Sequence, residues 1–518
     1  MSVTRQLPVV YVRGFAGGAS GINSAVDDPF CGFNEGSVHV RVGAGRRPVF
    51  HQFESPMLRL MTDEGYQVIV QGNQRGYLLA QPDKSVPTAT VWVHRFYDAS
   101  ASTFGTGGEA FVLEDAALDL YRFVELVLAK TGAERVHLVA HSMGGLICRS
   151  MMQRVAPELD ARQRPDAAAD LVDRLVTYAT PHGGIEFAVG FGMLERIRDF
   201  FDIAGAEIFG PDRMYQYLTP DLPGAPRLPA RPDGWRAVRM PADGFPVERI
   251  MCLVGTDAAD YTVGLGPPAK AVGVRSDGLV QIEDAAVRGA HRAYIHRSHS
   301  GRYGVVNSEE GYQNLRRFLF GDLRVAVDLT GLELAGEADD DVYWQLETQL
   351  AVRGLPVVMH EQTAAHHCPV PLPRRQATDT GPREVRLLTT FLSSTAPRPR
   401  AGEAPLATLR HALRVRLLSV REHDGILGFG DHLEQTADFD DTLVVDIAPG
   451  SGTDKPRAWA SWNSAIGGAL RDWVPDGAPL PDANPAPECW EGVVRVPATA
   501  RPILGEGAAI RLRVTPQR

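Results

Sequence analysis

Twelve residues, Val136-His-Leu-Val-Ala-His-Ser142-Met-Gly-Gly-Leu-Ile147, constrain the fold more than any other stretch of the chain. An apolar run ends in a small residue, a serine follows, then paired glycines, then helix-forming residues. A strand that turns sharply into a helix reads this way, and it leaves the Ser142 hydroxyl standing at the strand's C-terminal end. The spacing Ala140-x-Ser142-x-Gly144 has a physical cause: the serine sits in a strained backbone conformation, so residues two positions away must be small for helix and strand to pass closely.

The rest of the chain sets the frame for that turn. At 518 residues it is too long for one ordinary core, and two domains are expected. A hydrophobic content of 44% with 22% charged residues is that of a globular protein. The formal net charge of −10 argues against a general nucleic-acid binder, which needs clustered Lys and Arg to neutralise phosphates. Cys31, Cys148, Cys252, Cys368 and Cys489 are scattered without paired spacing, as reduced thiols are rather than a disulfide framework. The first ten residues lack the basic start, apolar run and cleavage site of a signal peptide. No later stretch approaches the ~20 apolar residues of a membrane span. The sequence expectation is a cytoplasmic protein, or one exported by a route that reads no N-terminal signal.

In chain order, Pro8-Val-Val-Tyr-Val12 reads as a buried parallel strand that leads into the glycine-rich loop Arg13-Gly-Phe-Ala-Gly-Gly18. That loop is not Gly-x-Gly-x-x-Gly and no Lys-Ser/Thr follows, so it is a poor nucleotide cradle. Ala19 to Phe50 shows no sustained periodicity and reads as a long surface excursion bordering the site. Ser55-Pro56 opens a short helix. Tyr66–Val70 and Thr90–Tyr97 are β-rich. Leu113, Ala117, Leu120, Val124 and Val127 recur at three- and four-residue steps, an amphipathic helix that Gly132 closes. The strand before Ser142, a helix from Gly144 to Arg154 and a strand over Asp173–Thr180 follow. Strands alternating with helices in this order build a parallel sheet covered on both faces, with the site at the strands' C-terminal ends.

The Ala-His-Ser-Met-Gly-Gly turn resembles the nucleophile elbow of α/β-hydrolase lipases of bacteria. Thr180-Pro-His-Gly-Gly184 and Ser276-Asp277-Gly-Leu-Val280 resemble two further segments of those enzymes. The resemblance covers about residues 8–322 and implies an α/β-hydrolase fold in which the triad follows the chain order serine, acid, histidine. It implies Ser142 as nucleophile and Asp277 as acid, with Asp257 the alternative. It implies His299 as base among His291, His296 and His299, and a structural rather than catalytic place for His182. The backbone N–H groups of Phe15 and Met143 would form the oxyanion hole. Arg13 stands where the family usually has His, a departure that leaves the backbone donor at Phe15 intact. A lid is expected around 185–235, centred on Gly192–Phe201. No metal and no organic cofactor are required.

Beyond about residue 323 the periodicity changes to alternation, in Val342–Leu346, Leu413–Leu417, Thr442–Val445 and Ile510–Val514, with Pro- and Gly-rich turns between. This predicts an antiparallel sandwich or barrel over 323–518, after a catalytic domain over 1–322. The cluster His360-Glu-Gln-Thr-Ala-Ala-His-His-Cys368 lacks the spacing of a zinc site and reads as a solvated loop. The acidic groups Glu337–Asp341 and Asp438–Asp441 read as solvated turns that could hold calcium only if brought together. Arg414, Arg416, Arg511 and Arg513 alternate with apolar residues and could line an exposed sheet face turned toward anionic lipid or protein.

The reading that follows is a serine hydrolase of carboxylic esters, of lipase or esterase type, acting on acyl-ester or lipid substrates. It has no transmembrane segment and makes at most transient membrane-surface contact. An acyltransferase or thioesterase would use the same site, because the acyl-enzyme step is shared. A catalytically inert hydrolase fold serving as a binding module is the alternative from another class.

Overall fold

The computed structural model of the chain describes residues 6–14, 33–42, 46–69, 73–96, 111–185, 206–222, 230–259, 275–301, 303–336, 342–372, 383–393, 408–423, 432–450 and 454–517. The chain divides into two compact units, Met1–Tyr312 and Gln313–Arg518.

In the first unit, β1 (Val9–Val12) is buried along its whole length, as an all-apolar run must be in a sheet covered on both faces. A two-stranded antiparallel ribbon follows, β2 (Ser37–Val42) and β3 (Pro48–Phe53). The described part of the stretch 19–50, read as a surface excursion without periodicity, thus carries a β-ribbon. The alternation Val38, Val40, Val42 was the signal for it, but the stretch is short and its apolar side chains face solvent instead of a core. The helix Pro56–Glu64 starts where Ser55 Oγ accepts the N–H of Leu58 and ends at Gly65, whose φ of 71° a glycine tolerates.

The sheet continues with β4 (Gln67–Val68), β5 (Thr90–His94), β6 (Val136–His141), β7 (Val172–Tyr178), β8 (Ile250–Gly255) and β9 (His291–Ile295). The spatial order is β4-β5-β1-β6-β7-β8-β9, with every neighbouring pair parallel. From β1 the chain fills one side with β4 and β5, then crosses to lay β6 on the other. The winding therefore reverses at β1 and β6, and a crevice opens at their C-terminal ends. Helix Leu113–Thr131 makes the crossing. Its buried residues, among them Leu113, Ala117, Leu120, Val124 and Val127, are the apolar stripe read from the sequence.

Beyond the helix Glu309–Phe320, the described residues of the second unit are β apart from short helical turns. Its strands are β10 (Leu323–Thr330), β11 (Val342–Val352), β12 (Val358–Gln362), β13 (Val370–Leu372), β14 (Val385–Leu392), β15 (Leu409–His423), β16 (His432–Ala448), β17 (Arg457–Trp462), β18 (Trp490–Arg495) and β19 (Ala509–Pro516). They form two antiparallel sheets, ordered β14-β10-β19-β18 and β12-β11-β15-β16-β17, with β13 also paired to β11. Val325, Val327, Leu512 and Val514 of the first share one buried cluster with Leu346, Leu350, Leu413, Leu417 and Leu443 of the second. The arrangement is two sheets across a common core, a sandwich rather than a closed barrel.

The arginines that alternation placed on an exposed face lie on two different sheets, Arg414 and Arg416 on β15 and Arg511 and Arg513 on β19, and are engaged in ion pairs. Arg414 pairs with Asp440, Arg416 with Glu347, Arg511 with Asp328 and Glu384, and Arg513 with Glu491. With carboxylates already in place, neither strand presents a bare cationic surface for anionic lipid. Asp438 accepts the N–H of Ser419, and Asp441 accepts the hydroxyl of Ser464. In the histidine cluster, His360 meets Gln362, and the Cys368 thiol points to the carbonyl of Glu361. Among the described residues no group of three or more His, Cys, Asp or Glu could hold a metal ion, and Cys148, Cys252, Cys368 and Cys489 form no disulfide. No helix among the described residues is long and apolar enough to cross a membrane.

Candidate active site

Val12 pairs with Ala140 in the sheet, so Arg13-Gly14 and His141-Ser142 leave β1 and β6 side by side. Ser142 has φ 52° and ψ −129°, a left-handed backbone that a non-glycine residue adopts only when its surroundings enforce it. The enforcement is visible. Its N–H donates to Tyr178 O at 2.8 Å, and its carbonyl accepts the Thr180 hydroxyl at 2.9 Å. The glycines admit the close approach. A Cβ on Gly144 would overlap the carbonyl oxygens of Val12 and Arg13, and one on Gly145 would overlap the Thr180 side chain. A Cβ on Gly14 would lie 2.8 Å from that of Ser142. The helix Met143–Ser150 starts at once and is fully buried, then loosens into a π-helical turn over Met151–Val155.

Asp277 and His299 come from loops beyond β8 and β9. Gly278, with φ 98°, makes the turn that lets Leu279 and Val280 donate their N–H groups to Asp277 Oδ1 at 3.0 and 2.8 Å. Oδ2 is left to face His299 Nδ1 at 3.0 Å, and the N–H of His299 donates to the Asp277 carbonyl at 2.9 Å. His299 Nε2 lies 2.9 Å from Ser142 Oγ. A carboxylate only accepts, so the ring proton belongs on Nδ1, and the unprotonated Nε2 accepts the serine hydroxyl. All three side chains are buried: Ser142 is 6% exposed, Asp277 0% and His299 3%. After this loop Ser308 caps the next helix, Glu309–Phe320, accepting the N–H of Gly311 at 2.9 Å.

The other candidates stand elsewhere. His296 is exposed, and its Nδ1 is 3.4 Å from Thr256 Oγ1. His291 begins β9. Asp257 Oδ1 accepts the N–H of Ala259 at 2.9 Å and so closes its own turn. His182 is fully buried, with Nε2 3.0 Å from Thr177 Oγ1, and burial holds its pKa well below the ordinary imidazole value. Phe15 and the lid centre Gly192–Phe201 lie outside the described residues. Met143 is the first residue of the helix, so its N–H has no intrahelical acceptor.

Two supporting residues carry no sequence signal beyond their presence in a motif. His141 donates from Nε2 to the carbonyl of His299 at 2.9 Å, with the two ring centroids 5.1 Å apart. Burial, and then the neighbouring His299, push its pKa down to about 3, so it is neutral. Arg149 of the elbow helix is 0% exposed and donates to Gln153 Oε1 at 2.9 Å, His182 O at 3.1 Å and Ala237 O at 2.7 Å. No carboxylate is among those acceptors, and burial lowers its pKa to about 10. A hydroxyl on an imidazole that is itself held by a carboxylate is an arrangement able to deliver an alkoxide to an electrophilic carbonyl.

Residues 32–192 match the family model for the alpha/beta hydrolase fold. Two triacylglycerol lipases, from Pseudarthrobacter phenanthrenivorans and Burkholderia plantarii, are each 42% identical to this chain over 69 residues, 13% of its length. The match spans 18% of the first lipase and 16% of the second, less than a fifth of either. Among solved structures, the mature Bacillus licheniformis lipase BlEst2 aligns at 14% identity and a TM-score of 0.32, covering 61% of this chain and 91% of that one. With that match over residues 32–192, a parallel sheet wound about β1 and β6, and a serine held at positive φ on the turn between them, the N-terminal unit has the α/β-hydrolase fold.

Proposed function

We propose that the protein is a serine hydrolase of carboxylic esters, with Ser142 as nucleophile, His299 as general base and Asp277 as the acid that orients it. The carrying observation is the chain of contacts from Ser142 Oγ to His299 Nε2 and from His299 Nδ1 to Asp277 Oδ2, at 2.9 and 3.0 Å. His299 takes the proton as Ser142 attacks the ester carbonyl. Asp277 fixes the tautomer and stabilises the imidazolium. The proton then passes to the leaving alcohol, and water, activated by the same imidazole, releases the acid. The N–H groups of Met143 and Phe15 are the proposed oxyanion donors, each contributing roughly 3 kcal/mol in the transition state. The reading needs no metal or organic cofactor. The short stretches shared with triacylglycerol lipases favour a lipid-type acyl ester as substrate.

A fluorophosphonate probe tests this directly. Wild-type protein is expected to label at Ser142 and to hydrolyse p-nitrophenyl esters, while Ser142→Ala abolishes both and His299→Ala abolishes turnover. An unlabelled, inert wild type would point to a hydrolase fold used only for binding. Activity that survives in His299→Ala and disappears in His296→Ala would move the base.

A further inference from the structure

We infer that the β2–β3 ribbon is a docking element for an anionic lipid surface. In its antiparallel register Val38 faces Gln52, Val40 faces Phe50 and Val42 faces Pro48, and directly opposed residues share one face. That face points to solvent: Val38 is 45% exposed, Val40 52%, Val42 78% and Phe50 66%. Alternation turns His39 to the other side, where Arg297 Nη2 approaches its Nδ1 at 3.5 Å and Glu310 lies 3.8 Å away. The ribbon is thus anchored two residues from His299, with its apolar face turned outward. Arg46 and Arg47, both exposed, stand at its turn end.

A narrow apolar face with cations at its tip has few physical uses. A ribbon of two six-residue strands covers roughly a few hundred Å², short of the ~800 Å² per partner that a stable protein interface buries. A lipid–water boundary has no such area threshold, since apolar side chains enter the acyl boundary one by one. The charge fits as well. The chain carries a formal net charge of −10 and would be repelled as a whole by an anionic bilayer, so the arginine pair at the tip selects the end that approaches. The proposed esterase reading enters only in what this docking would serve, delivery of lipid esters to a site beside the anchor; the docking itself requires no turnover.

The test is co-sedimentation with phosphatidylglycerol and phosphatidylcholine vesicles, using the Ser142→Ala protein so that lipid is not consumed. Binding to phosphatidylglycerol vesicles is expected. It should weaken at least tenfold when Val40→Ser and Phe50→Ser are combined, and again when Arg46→Glu and Arg47→Glu are combined. Both sets, made in the Ser142 background, should keep wild-type hydrolysis of a soluble p-nitrophenyl ester. That activity, read separately, distinguishes failure of the docking element from failure of the hydrolase reading and reports folding for each variant. Absence of vesicle binding, binding unchanged by both variant pairs, or equal binding to phosphatidylcholine would overturn the inference. So would a sedimentation equilibrium dimer that the Val40/Phe50 variant dissociates, which would make the face a contact between copies of this chain.

Discussion

Asp277 and His299 are tied at two points. The carboxylate Oδ2 stands 3.0 Å from the imidazole Nδ1, and the His299 backbone N–H donates to the Asp277 carbonyl at 2.9 Å. Side chain and main chain thus fix the same pair, so the imidazole has little freedom to turn away from Ser142.

That double tie separates geometry from charge. Asp277→Asn keeps the backbone bond but offers an amide that can donate to the ring and stabilise the wrong tautomer. We expect kcat to fall by roughly 10³- to 10⁴-fold with KM within a few-fold of wild type, measured on a soluble ester across pH. An equal loss in KM would mean that the substitution had disturbed binding instead.

Gly144 has no room for a methyl group. Its Cβ would strike the carbonyls of Val12 and Arg13, which are backbone atoms of a buried strand and cannot swing aside. Gly144→Ala is expected to destabilise the first unit by about 2–3 kcal/mol and to displace Ser142, seen as a lower urea midpoint together with slower labelling by a phosphonate probe. Gly467→Ala is the control for the general effect of adding a methyl group. Gly467, like Gly144, has no positive φ, but nothing stands within 4 Å of its added Cβ.

Arg149 holds the loop bearing His182 and the segment at Ala237 to the elbow helix through carbonyl acceptors. Arg149→Met leaves those buried carbonyls without a donor, and a loss of about 3 kcal/mol is expected in chemical denaturation. Arg149→Lys keeps the charge but lacks the fork that reaches several acceptors, and should recover less than half of that loss.

Acid should unfold the protein before its carboxylates titrate. Burial pushes the pKa of His94 and His411 down to about 4 and of His137 and His141 to about 3, whereas an unfolded histidine titrates near 6.5. Between those values the unfolded chain binds protons that the folded chain refuses. Stability is therefore fully present above pH ~6.5 and falls steadily as pH drops toward 4. His411 isolates one contribution. It lies on the inward face of β15, 1% exposed, and neither ring nitrogen has a hydrogen-bond partner among the described residues. His411→Leu should raise stability at pH 7.5 by about 1 kcal/mol and flatten the decline between pH 6.5 and 4, followed by urea denaturation at a series of pH values.

Legibility in the sequence followed how local each feature's cause is. The elbow was readable because strand, serine and glycines are consecutive, and the strain they relieve lies within the same few residues. The helix Leu113–Thr131 and the strands of the second unit were readable because burial on one face imposes a period on the chain. The ribbon β2–β3 was missed although Val38, Val40 and Val42 alternate. Its apolar residues serve no core, and a short alternating run between glycine-rich segments is weak by itself. The arginines of β15 and β19 were read as a free surface because their carboxylate partners arrive from strands far away in sequence.

The order of amino acids alone dictates that Ser142 ends a buried strand on a tight turn, that the first unit alternates strand and helix, and that the second is built of half-buried strands. Each is a consequence of neighbours along the chain. Composition and spacing leave His291, His296 and His299, and Asp257 and Asp277, open; the resemblance favours Asp277 and His299, and it is the folded sheet that brings that carboxylate and that imidazole to the serine. What separates them is a register: β8 and β9 lie beside β7 in a parallel sheet, so the loops at their C-terminal ends rise on the same side as the turn after β6. The glycine turn at Gly278 then aims one carboxylate at one ring, a convergence over 157 residues between Ser142 and His299 that no local pattern encodes.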